Sequence, residues 1–166
     1  MMMLSSTEAV SSAKANNIVA NLRNIKTATL AWYADHFDKV EEINKNKKNF
    51  QHDTTVINGI KQYLSNGDAI KLNKNGGKEV TKGTYAVFNG NPERTTWFVG
   101  YRFLDSENSV KEKVRAKAGL LPIHFASKWP NPQGKDPTDK NLETKDSVWM
   151  YILGDFSDQG SGWKDK

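Results

Sequence analysis

The sequence predicts an α+β fold: a long amino-terminal helix packed against an antiparallel β-sheet. Three observations carry that prediction. Residues 11–40 hold neither Gly nor Pro and show apolar residues at helical spacing. Residues 96–104, TWFVGYRFL, alternate in the manner of a strand. Helical and strand-like stretches are also segregated along the chain, not alternated as in parallel α/β folds.

The first element is expected over residues 5–38. Ser5 or Ser6 can cap it, and Glu8 in the first turn complements the helix dipole. Ile18, Leu22, Ile25, Thr29 and Trp32 follow a 4-3-4-3 spacing and share one face. A second line, Leu30, Tyr33, Phe37 and Val40, begins only toward the end. The later half is thus apolar on two sides, while Ser11, Ser12, Ala13, Ala15, Asn16 and Asn17 are small or polar. Such a helix runs roughly 50 Å, longer than a head of the remaining residues is wide. The expectation is that the sheet wraps its carboxy-terminal half and that residues 5–21 stand free in the monomer.

Residues 41–53 read as a charged, Asn-rich connection. Thr54 or Thr55 can start a short helix carrying Val56, Ile60, Tyr63 and Leu64, stopped by Gly67. AIKL (69–72) is a short strand candidate, and Asn75-Gly76 marks a turn. EVTKGTYAVF (79–88) reads as a strand, followed by a turn at 89–95. In the next strand Trp97, Val99, Tyr101 and Phe103 share a face. Ser109 and Glu112 suggest a capping box, with Val110, Val114 and Ala118 at helical spacing and Gly119 as the stop. Residues 130–146 form a Pro- and Asp-rich loop. SVWMYIL (147–153) is a buried strand, and the tail is polar and Gly-rich.

Composition narrows the chemistry. The chain has 166 residues, a net charge of +5 and no cysteine. Disulfides, thiolate metal sites and Cys catalysis are therefore excluded. The charge is spread as +1, +3 and +1 over residues 1–40, 41–83 and 84–166. Only NKNKKN (44–49) is a local basic cluster, best read as a solvated loop, so nucleic acid is not the expected partner. No run of 18 apolar residues is present.

No catalytic motif stands out. His36, His52 and His124 form no i, i+4 pair, and GxSxG, GxxxxGK[ST] and GxGxxG are absent. Asp136, Asp139, Asp146, Asp155 and Asp158 offer oxygen ligands that calcium would accept, but their spacing matches no EF-hand and ordinary turn aspartates are the plainer reading. Trp97, Phe98, Tyr101 and Phe103 resemble a base-stacking platform only superficially, since they lie on both strand faces with Arg102 alone among them. The expectation is a non-enzymatic protein with no cofactor.

The stretch SSTEAVSSAKANNIVANLRNIKTATLAWYADH resembles the periplasmic half of the amino-terminal helix of type IV pilins and type II secretion pseudopilins. Ala13, Asn17, Asn21, Leu22 and Ile25 carry the family's Ala/Asn-Leu-Ile pattern, and MMML fits the end of its extremely apolar half. The resemblance covers residues 1–40. It implies a spine helix over 1–40, a head over 41–166, and a membrane-embedded half upstream of Met1. It further implies a filament built from copies of this chain and other pilins, at the inner membrane and periplasm or the cell surface. Val10, Ala13, Asn17, Ile18 and Asn21 are the residues assigned to subunit packing. The carboxy-terminal disulfide common in the family is excluded here. Two rival readings remain: a DNA-binding minor pilin using Lys45, Lys47 and Lys48, and an extracellular enzyme or adhesin built on the head alone, the enzyme needing a deep cleft of converging polar groups and the adhesin using the 89–95 turn or the 130–146 loop.

Overall fold

The computed structural model describes residues 2–46, 54–67, 69–73, 80–90, 96–118, 123–126 and 146–153. Helix α1 (Met2–Asp35) is about 50 Å long. It is followed by α2 (Phe37–Lys45), α3 (Thr54–Gln62), β1 (Tyr85–Gly90), β2 (Thr96–Arg102), α4 (Asn108–Ala118), β3 (Ile123–Ala126) and β4 (Ser147–Leu153). The strands form one antiparallel sheet in the order β1-β2-β4-β3. The α+β architecture with a long leading helix on an antiparallel sheet is as the sequence predicts.

The apolar seam of α1 is buried from Ala15 to Trp32: Ala15, Ile18, Leu22, Ile25, Ala28 and Trp32 enter the main core. Thr29 belongs to this seam because its hydroxyl donates to the Ile25 carbonyl at 2.7 Å, which leaves only its methyl to pack. Facing the helix, the sheet contributes Tyr85, Val87, Val99, Tyr101, Val148 and Met150. Val99 lies opposite both Val87 and Met150, so the central strand is flanked by apolar partners on each side. Phe98, Trp149 and Tyr151 point the other way and form a second cluster with Val80 and Ala86. Their ring centroids lie 4.9–5.1 Å apart in tilted and edge-on geometry. Both faces of β2 and β4 are thus buried, which explains why SVWMYIL is apolar throughout and not alternating. The β2–β4 register slips between Trp97 and Phe98, where β4 carries the extra residue Ile152.

Several boundaries differ from expectation. The first helix does not run through residue 38. It breaks at His36, whose backbone (φ −132°, ψ 37°) leaves the helical region. The His36 ring stacks on Trp32 with centroids 5.3 Å apart, and its Nδ1 lies 3.0 Å from the Trp32 carbonyl. Stacking and ring contact replace the lost helical turn. The supposed connection then continues as α2 to Lys45, because Val40 and Ile43 are both buried. AIKL makes a single parallel bridge, Leu72 to Tyr85, in place of a strand. β1 starts at Tyr85, after a turn in which Gly83 adopts φ +80°, a conformation that costs other residues about 1–2 kcal/mol. Helix α4 begins at Asn108, so Ser109 lies inside the first turn and not at a cap. The strand Ile123–Ala126, which pairs with β4, was not anticipated.

The free span of α1 is shorter than expected. Residues 6–10 are exposed, but α4 packs along the next turns, where Ser11 and Ala15 are buried. The head buries the helix from Ser11 onward, not only its second half, and Lys113 of α4 reaches back to Glu8.

Candidate functional site

The residues assigned to subunit packing divide into three environments. Val10 is 65% exposed, the most exposed large apolar side chain among the described residues. Ala13 and Asn17 are also exposed. Asn21 is half-buried and donates from Nδ2 to the Tyr85 hydroxyl at 3.1 Å. Ile18 is buried in the core with Leu22 and Ile25, so it serves the monomer's own fold. Positions 10, 13, 17 and 21 follow helical spacing and make one stripe of α1, which runs from open solvent into a cleft.

That cleft has a volume of about 490 Å³ and lies between α1, the segment before β1 and the turn at Lys82–Gly83. Lys14, Asn17 and Asn21 line it from the helix; Lys71, Lys82 and Tyr85 line it from the other side. No carboxylate is among its lining residues. Lys82 donates to Asp105 at 2.6 Å, which holds the Asp105 carboxyl below its usual range. Lys14 pairs with Glu107 beneath the cleft.

Glu107 anchors the floor. Its side chain is almost wholly buried, just before α4 begins. The carboxylate accepts from the Leu104 amide at 2.7 Å and from the Tyr101 hydroxyl, which sits 3.0 and 3.1 Å from its two oxygens. With Lys14 added, one buried charge joins α1, β2 and the entry to α4. Burial, then the Glu107 charge, push the Tyr101 phenol far above its ordinary value. Burial also pushes Tyr85 up to about 12, although the bond from Asn21 acts in the opposite direction. Both phenols therefore stay neutral donors at physiological pH.

At the opposite end of α1 a second cleft of about 480 Å³ lies among Trp32, His36, Ile43, Val56 and Gly59. Gly59 lets α3 approach α1 closely: an added Cβ would fall 2.4 Å from Trp32 Nε1.

The remaining candidates find no constellation. Of the aspartates considered for calcium, Asp136, Asp139, Asp155 and Asp158 lie outside the described residues. Asp146 accepts from Arg102 Nε at 3.1 Å, and its backbone carbonyl accepts from the Phe103 amide at 2.8 Å, so it fastens β2 to the start of β4. Among the described residues no three metal-ligating side chains cluster. In the basic cluster, Lys45 pairs with Glu41 at 2.7 Å, while Lys47 and Lys48 lie outside the described residues. The same holds for His52 and the 130–145 loop. Among the described residues no helix is long and apolar enough to cross a membrane.

No protein-family model, curated protein or solved structure matches this chain.

Proposed function

We propose that this protein is a non-enzymatic structural subunit of a filament, of the type IV pilin or type II secretion pseudopilin kind, assembling through its amino-terminal helix. The observation that carries the reading is the exposed start of α1. Residues 6–10 are exposed and present Val10, with Glu8 tied to Lys113 of α4, whereas the apolar side chains from Ala15 to Trp32 enter the core. A well-anchored rod with an exposed stripe near its start suits lateral packing against other helices, and Ala13 on the same side permits close approach. The partners in this reading are copies of itself and related subunits and a membrane, with a location at the inner membrane, periplasm or cell surface. The sequence resemblance and the helix-on-sheet architecture support it together.

The experiment is Val10→Lys combined with Ala13→Lys in the native host. Both side chains are exposed, so thermal stability should stay unchanged while filaments seen by electron microscopy disappear. Normal filaments from the doubly substituted protein would refute the reading.

A further inference from the structure

We infer that the lysine-lined cleft beside Asn17 receives the acidic face of α2, Asp38 and Glu42, from a second copy of this chain. The inference rests on the filament reading and names the contact that would hold successive subunits in register.

Among the described residues, unpaired charges of opposite sign lie on the two surfaces. Most exposed carboxylates are already committed within the chain: Glu8 to Lys113, Glu41 to Lys45, Asp105 to Lys82, Glu112 to Arg115, and Asp35 to the Tyr63 hydroxyl. Asp38 and Glu42 are exposed and have no cationic partner among the described residues. They are four residues apart on α2 and so share a face. The cleft offers the counterpart. Lys71 is exposed with no acidic partner among the described residues, while Lys14 and Lys82 on the same rim are already paired with Glu107 and Asp105. The Tyr85 hydroxyl, which accepts from Asn21, still has its own proton to donate into this space.

The two surfaces cannot meet within one molecule. Asn17, at the cleft, stands about 27 Å along α1 from Asp35, where that helix ends and α2 follows. A patch at one end that fits a patch at the other gives a head-to-tail contact, which propagates into a filament unless it closes into a ring. Partial desolvation in the cleft strengthens such pairs relative to open-surface ones, and the amides of Asn17 and Asn21 supply further polar partners.

Because the chain has no cysteine, a disulfide trap has no background. The test places Thr81→Cys at the cleft and Lys45→Cys one turn beyond Glu42, leaving the proposed charges in place. The full chain is expressed in its native host and its assemblies are oxidised. The expected result is a ladder of covalent multimers. Adding Lys71→Glu should lower its yield about tenfold, and adding Asp38→Lys and Glu42→Lys to that variant should restore it. Each single-cysteine variant should give no ladder. Filaments that form normally without a ladder, or a ladder indifferent to charge reversal, would overturn this contact and leave the filament reading standing. A protein that forms no filaments at all would remove both.

Discussion

Lys14 on α1 reaches the buried carboxylate of Glu107, and the Tyr101 hydroxyl and Leu104 amide close on the same carboxylate from the sheet side. Three separate elements thus depend on one acid. Glu107→Gln keeps the shape but loses the charge and offers only one acceptor oxygen. It should cost about 1–3 kcal/mol of unfolding free energy. Glu107→Ala should cost more, since it strands the Tyr101 hydroxyl and the Leu104 amide. Urea titration followed by tryptophan fluorescence measures both; equal stability for all three proteins would show the node to be inert.

The close contact of α3 with α1 gives a second test. Gly59→Ala forces a methyl against the buried indole of Trp32. Overpacking of this kind costs about 1–3 kcal/mol. A denaturation midpoint unchanged by the substitution would mean that Trp32 has room to turn.

Alkaline unfolding follows from Tyr85. Its folded pKa of about 12 lies above the ordinary tyrosine value of 10. The folded state therefore holds the proton between those values while the unfolded state releases it. Stability from this source is fully present below pH 10 and is lost as pH rises toward 12, by about 2–3 kcal/mol. Tyr101 shifts in the same direction and extends the decline further. Tyr85→Phe should flatten the slope between pH 10 and 12, read from unfolding midpoints at fixed denaturant series. An unaltered slope would show that Tyr85 ionises equally well in both states.

Val10 and Ile18 should respond differently to an introduced charge. Val10→Lys should change monomer stability by no more than about 0.5 kcal/mol. Ile18→Lys buries an unpaired ammonium among Leu22 and Ile25 and should prevent folding or cost several kcal/mol. Circular dichroism melts distinguish the two, and a well-folded Ile18→Lys protein would contradict the burial described.

Much of this architecture was legible because burial leaves a periodic trace. The 4-3-4-3 seam of α1 and the alternation of Trp97, Val99, Tyr101 and Phe103 all reach the core as their spacing implies. The limits were equally physical. No Gly or Pro marks the break at His36, where the ring stacks on Trp32. The short strand Ile123–Ala126 gains its identity from pairing with β4, not from its own pattern. No local pattern marks Glu107, and only the non-local approach of Lys14 and Tyr101 makes it central. The cover over the early turns of α1 did leave a signal. Ser11, Ala15, Ile18 or Val19, and Leu22 continue the seam toward the amino terminus, with side chains small enough to admit α4 closely.

The strand order has a bearing on how the protein is made. β4 supplies the second neighbour of β2, yet it leaves the ribosome about 45 residues later. Until then β2 has only β1 to pair with, and a two-stranded hairpin is marginal in water. The sheet face that packs on the leading helix is therefore completed only when β4 emerges, after α3, β2 and α4 have already been made.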